Sequence, residues 1–244
     1  MIMRLPLLLI IITTTFKISA QQTITFPSED KLLITADHYF NKKDLPYILL
    51  FHQANSSRGE YRETAGKLMK LGFNCLAVDL RSGKEVNYVQ NETAARAAEQ
   101  KLPTSYLDAE KDILASISYV KQISQKKVIL FGSSYSASLV MKVGNQNPDV
   151  EAIVAFSPGE YFQPKVVLKD FLADFDKPVY INSTSTEKPF VSELISDIPS
   201  DLLTFFASEK GEGVHGSKAL WEKQPQSDEV WLSLLLFFKK ITAE

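Results

Sequence analysis

The sequence predicts an α/β fold, a mostly parallel sheet with helices on both faces, built as a single domain. Three observations lead there. Short apolar runs alternate with longer segments of helical spacing along the chain, and strands that take turns with helices require parallel pairing through right-handed crossovers. One junction, Lys127–Leu139 (KVILFGSSYSASL), passes from an apolar run rich in β-branched residues, through a turn of small residues, straight into a helical pattern. A chain of 244 residues, 45% hydrophobic and 23% charged, can bury a sizeable core within one globular unit.

Taken in order, the first element is a leader. Residues 1–20 carry Arg4, the apolar run Leu5–Ile12, a polar patch at Thr13–Thr15, and small residues at Ser19 and Ala20. That succession is a secretory signal peptide, with cleavage expected after Ala20. The run falls short of the roughly 20 apolar residues a membrane span needs, and no cysteine follows it to take a lipid anchor. Residues 21–244 then form the folded domain, in the periplasm or outside the cell.

Thr23–Phe26 and Leu32–Tyr39 read as an opening antiparallel pair, and Tyr47–Phe51 as a short buried strand after Pro46. Glu60–Leu71 has helical spacing and stops at Gly72, a C′ glycine. Phe73–Asp79 is the next buried strand. Apolar residues at 107, 113, 114, 117 and 120 make Leu107–Ile123 an amphipathic helix. After the junction come the strands Ala152–Phe156 and Val179–Ile181, a helix around Phe190–Ile195, the strand Leu202–Phe206 and a last helix, Glu229–Ile241. Two long connections, Ser82–Thr104 and Ser157–Lys177, read as polar or irregular. Neither can house a cap domain, and the apolar stretch Val166–Leu172 is expected to pack on the sheet.

Loss of Arg4 and Lys17 with the leader leaves 25 basic against 29 acidic residues, a net charge of −4. That balance argues against nucleic acid or an anionic membrane surface as a partner. The single Cys75 cannot form an internal disulfide and reads as a small core residue.

The junction at 127–139 carries chemistry. Gly132-Ser133-Ser134-Tyr135-Ser136 follows the G-x-S-x-small pattern of a nucleophile elbow, which makes Ser134 the candidate nucleophile. So tight a turn strains its central residue and requires small neighbours two positions away on either side. Gly132 meets that demand, and Ser136 stands where glycine is usual. The bland alternative is a serine cap on the helix that follows.

An activated serine needs a base, and the base an orienting acid. The chain has only three histidines. His38 lies in an early strand, far from the sheet edge where ligands bind, and His52 ends the strand Tyr47–Phe51. His215 sits in GEGVHGSKALW between the last strand and the last helix, among glycines that leave the loop free to bring an imidazole over the elbow. It is the candidate base. In elbow-bearing hydrolases the chain order is Ser, Asp or Glu, His. Glu187, just past the strand at 179–181, is preferred as the acid. Glu160, after Ala152–Phe156, is its rival.

The second requirement is a pair of N–H donors for an oxyanion. Tyr135 N–H is one. The other should come from the loop His52-Gln53-Ala54-Asn55-Ser56-Ser57, through Gln53 or Ala54. With this loop, the strand end Val78–Arg81, the elbow, an acid after the next-to-last strand and His215-Gly216, the chain resembles a lidless α/β-hydrolase of the dienelactone-hydrolase-like kind over nearly all of Thr23–Glu244. The resemblance implies a serine hydrolase without a large cap. No metal or organic cofactor is expected, since no cluster of histidine, cysteine and carboxylate residues has ligand spacing. Gln53 replaces a family glycine. Dienelactone hydrolases proper use a cysteine nucleophile, so their specific activity is not implied.

Arg58, Glu60, Asp79 and Arg81 read first as an ion-pair set holding two loops. His52, Arg58 and Glu160 are the candidate substrate contacts, with a carboxylate contact by Arg58 or Arg81 as the sharper alternative. Asn91-Glu92-Thr93 is a glycosylation sequon. The expected activity is cleavage of small-molecule carboxylic esters through an acyl-enzyme. The alternatives are a peptidase or amidase with the same residues, and a catalytically inactive binding protein. Oligomeric state is not legible in the sequence.

Overall fold

The computed structural model describes residues 21–209 and 211–242, so the expected leader lies outside the described residues. The chain opens with β1 (Gln21–Pro27), β2 (Leu33–Tyr39), β3 (Tyr47–Phe51), α1 (Arg62–Lys70) and β4 (Asn74–Val78). There follow β5 (Glu85–Val86), β6 (Val89–Gln90), α2 (Glu92–Glu99), α3 (Glu110–Ile123), β7 (Val128–Ser133) and α4 (Tyr135–Gly144). The last part holds β8 (Val150–Phe156), β9 (Val179–Ser183), α5 (Lys188–Leu194), β10 (Leu203–Ala207) and α6 (Ser227–Thr242).

Eight strands form one sheet in the order β1-β2-β4-β3-β7-β8-β9-β10. Pairing is parallel from β4 across to β10, while β1 with β2 and β2 with β4 are antiparallel. Side chains alternate across the sheet as the period of two requires. Leu49, Phe51 and Leu130 pack beneath α3 and α4 on one face. Ile48, Leu50, Ile129 and Phe131 pack beneath α1 and α6 on the other. Cys75 is buried on that second side, where burial pushes its thiol pKa far up.

Helix α1 ends as its glycine predicts. Gly72 has φ +95°, Gly72 N–H donates to Met69 O, and Phe73 N–H donates back to Leu68 O, the paired bonds of a Schellman cap.

The topology fixes where a ligand can bind. The chain leaves β3 outward to β4 and then crosses back to β7. The C-terminal ends of β3 and β7 therefore flank a switch point, the usual ligand crevice of an open α/β sheet. Residues 52–57 follow β3 there, and the elbow follows β7.

The stretch Ser82–Thr104 departs from its irregular reading. It folds into the small β5-β6 hairpin and helix α2. ETAARAAE lacks a large apolar stripe, but alanine is the strongest helix former, and Asn91 caps the helix by accepting from Ala94 N–H at 2.8 Å. Segment Ser157–Lys177 packs on the sheet. Leu168, Leu172 and Phe175 join the core under a short 3-10 turn, Leu168–Phe171.

Candidate active site

The elbow is strained where the pattern requires it. Ser134 has φ 59° and ψ −126°, a conformation that costs a non-glycine residue about 1–3 kcal/mol. A Cβ at Gly132 would lie 2.4 Å from Ser136 O and 2.6 Å from Ala137 N, so the backbone of the first turn of α4 excludes any larger residue. Ser136 is accommodated differently. Its Oγ accepts from Ser133 N–H at 2.8 Å and reaches Phe51 O at 2.7 Å, joining the elbow to the end of β3.

Three side chains from distant parts of the chain meet here. Ser134 Oγ lies 2.9 Å from His215 Nε2, and His215 Nδ1 lies 2.5 Å from Glu187 Oε1. Glu187 Oε2 accepts from Ser157 Oγ at 2.7 Å and from Thr184 N–H at 3.0 Å. Burial raises the Glu187 pKa, but the bonds from His215, Thr184 and Ser157 outweigh it and hold the carboxyl at about 2. An ionised carboxylate only accepts. Nδ1 of His215 therefore carries the proton, and Nε2 is left to accept from the Ser134 hydroxyl.

The loop bearing His215 is seated by Ser157 and Ser217, which sequence reasoning did not single out, together with Ser133 and Glu60. Ser157 Oγ, besides bonding Glu187, accepts from Gly216 N–H at 3.0 Å. Ser133 Oγ accepts from Ser217 N–H at 2.9 Å, and Ser217 Oγ donates to Glu60 Oε1 at 2.5 Å. Gly216 has φ +72°, and a Cβ there would meet Ser133 Oγ at 2.6 Å. The signal for Ser157 was a hydroxyl at a strand end directly ahead of Pro158-Gly159, a pattern too common to read alone.

The donor loop after β3 corrects one expectation. Gln53 N–H donates to Glu60 Oε2 at 3.2 Å and is taken. Ala54 N–H and Tyr135 N–H have no hydrogen-bond partner among the described residues. Tyr135 N–H also opens α4, whose first-turn donors favour negative charge. The fully buried Glu60 further accepts from Ser56 Oγ at 2.7 Å, so one carboxylate holds both this loop and the histidine loop.

The three candidate substrate contacts face elsewhere. His52 is fully buried. Its Nε2 accepts from Leu80 N–H at 2.9 Å while its Nδ1 donates to Gln53 O at 2.7 Å, so it braces the loop as a neutral ring, its pKa lowered by burial. Arg58 spends its donors on Asp37, Asp79, Glu92 and Gln90 O. Arg81 is likewise paired, with Asp30 and Asp112. The Arg58–Asp79 pair ties the two loops, whereas Glu60 and Arg81 serve the separate networks just described. Glu160 accepts from Leu168 N–H and Lys169 N–H at 2.7 and 2.9 Å; it caps the 3-10 turn and does not meet His215. The sequon residue Asn91 is also committed, with its buried Nδ2 bonded to Leu80 O and to His52 Nε2.

Comparison with known proteins identifies the family and the fold. A model of the dienelactone hydrolase family matches residues 34–204. The chain belongs to the dienelactone hydrolase family. The match spans Ser134 and Glu187 and stops short of His215. As a dienelactone hydrolase family member the chain is a hydrolase, and its sheet has the α/β-hydrolase form. An esterase of Pyrococcus furiosus is 16% identical, with 91% of this chain and 92% of that one covered at a TM-score of 0.68. A dienelactone hydrolase of Anabaena variabilis is 14% identical over 90% and 95% of the two chains, with a TM-score of 0.66. The α/β hydrolase GrgF of a Penicillium species is 10% identical over 92% and 100%, with a TM-score of 0.70. At such identities these likenesses speak to the fold alone. No curated protein matches the chain in sequence.

Proposed function

We propose that this dienelactone hydrolase family member is an exported serine esterase. The observation that carries the reading is the hydrogen-bonded series Ser134–His215–Glu187 on a strained turn. In this reading Ser134 Oγ attacks the acyl carbon as its proton passes to His215 Nε2. Glu187 holds the imidazole in the tautomer that accepts, and stabilises the imidazolium. The oxyanion accepts from Ala54 N–H and Tyr135 N–H. Collapse expels the alcohol, which takes the proton from His215. Water, deprotonated by the same nitrogen, then attacks the acyl-enzyme, and release of the acid returns the proton to Ser134. Reaction of the mature protein with a fluorophosphonate probe tests this without knowledge of the natural substrate.

The acyl preference follows from the missing roof. Among the described residues no inserted domain covers the serine, and the apolar part of the connection between β8 and β9 (Leu168, Leu172 and Phe175) is packed into the core. Each buried methylene contributes about 0.8 kcal/mol, so an enclosed tunnel would reward long chains steeply, and an open site does not. Acetate to butyrate esters are expected to show the highest kcat/KM. The p-nitrophenyl series from acetate to palmitate measures this, and a maximum at octanoate or longer contradicts it.

Export rests on the leader-like residues 1–20. The protein recovered from outside the cytoplasm is expected to begin at Gln21. Mass spectrometry of the intact chain reads this directly, and a retained Met1 would count against export by cleavage.

A further inference from the structure

Two tyrosines that no sequence pattern singled out contact the immediate neighbours of the Ser134–His215–Glu187 series, Tyr135 and Ser157. Tyr106 lies in the turn before α3 and stacks on Tyr135, with ring centroids 4.3 Å and planes 18° apart. Tyr135 is buried, and its hydroxyl shares a 2.6 Å hydrogen bond with Ser82 Oγ. The lower ring of the stack is therefore fixed and holds the upper one, while Tyr106 itself is 38% exposed.

Tyr161 approaches from the turn after β8. Its hydroxyl donates to Ser157 O at 3.0 Å, and Ser157 Oγ in turn bonds Glu187, the carboxylate that meets His215. Its ring lies against Gly159, where an added Cβ would come within 3.2 Å of it. Burial pushes its phenol pKa up, so it stays a protonated donor. This ring too is 38% exposed.

We propose that Tyr106 and Tyr161 form an aromatic slot that selects esters carrying a planar aromatic group next to the scissile bond. The proposal rests on the serine-esterase reading of the same site. An aromatic ring offset-stacked on Tyr106 gains about threefold to tenfold over a saturated ring of equal size, beyond what area burial supplies. Because Tyr135 and Ser157 already hold the two walls, little ordering is required when the ligand arrives.

The test compares matched pairs: benzyl acetate with cyclohexylmethyl acetate, and methyl phenylacetate with methyl cyclohexylacetate. The aromatic member of at least one pair should have a kcat/KM about threefold to tenfold higher. Tyr106→Leu should remove that preference, and Tyr106→Phe should keep it. If Tyr106→Leu does not fold, Tyr161→Leu carries the same expectation. Equal kcat/KM within both pairs, or a preference that survives the leucine variant, overturns the slot. So does a preference lost only in Phe190→Ala, which would put the ring in the cleft of 410 Å³ beyond Gly159, lined by Pro158, Val167 and Phe190. A binding measurement is independent of turnover. By saturation-transfer NMR phenylacetate should bind more tightly than cyclohexylacetate, and equal affinities count against the slot. Absence of turnover in both pairs together with absence of fluorophosphonate labelling would sink the esterase reading instead.

Discussion

Replacing Ser134 by alanine is expected to abolish fluorophosphonate labelling and to lower ester turnover by up to about 10⁶-fold, as removal of a triad nucleophile does. Ser134 Oγ is the hydroxyl that meets His215 Nε2, at 2.9 Å, and it sits on the strained turn between β7 and α4. The variant should stay folded, because the Ser134 backbone bonds, N–H to Phe156 O and O from Ala137 N–H, do not involve the side chain. Near-UV circular dichroism checks that point. Ser133→Ala is the informative control. Its hydroxyl accepts from Ser217 N–H, so its loss should lower stability by about 1–3 kcal/mol through a stranded buried donor, while labelling at Ser134 persists. Undiminished p-nitrophenyl acetate hydrolysis by folded Ser134→Ala would falsify the nucleophile assignment.

Glu187→Gln is expected to lower kcat by about 10²–10⁴-fold with the fold retained. An amide at this position no longer requires the proton on His215 Nδ1, and Nε2 is no longer held as the acceptor for Ser134. Stability changes with a definite sign. The Glu187 pKa is depressed from 4.5 to about 2, so its carboxylate contributes stability that is present above 4.5 and is lost as pH falls toward 2. The stability gap between wild type and Glu187→Gln should therefore be largest near neutrality and close across that window, as denaturant melts at a series of pH values would record. Glu160→Gln should keep its kcat, since that carboxylate caps backbone donors. The opposite pattern, with Glu160→Gln losing turnover and Glu187→Gln keeping it, would make Glu160 the acid.

The parts of the site that were legible in the sequence are those written in local pattern. The elbow announces itself by spacing, His215 by elimination among three histidines, and Glu187 by its place just past a strand. The fold was legible for the same reason, since alternating strands and helices constrain the sheet before any contact is known. What stayed hidden depends on tertiary partners. Whether Gln53 or Ala54 offers its N–H is decided by Glu60, seven residues on, and Glu60 is in turn decided by Ser217. Arg58 and His52 looked available to a substrate because their partners Asp37, Leu80 and Asn91 come from other elements. Helix α2 escaped notice because its stability comes from alanine propensity and a cap, and carries no apolar stripe to read.

The two small residues flanking Ser134 are not equivalent. Position 132 is closed by the Ser136–Ala137 backbone at the start of α4, so only glycine fits. Position 136 works as a joint. Its hydroxyl fastens the turn carrying Ser134 to the carbonyl that ends β3, and so sets the spacing between Ser134 and the loop with the free Ala54 N–H. Consensus-guided stabilisation, which usually gains by restoring the common residue, would write glycine there. In this chain that edit would erase a crosslink between the two halves of the site, and the rarer residue is the one to keep.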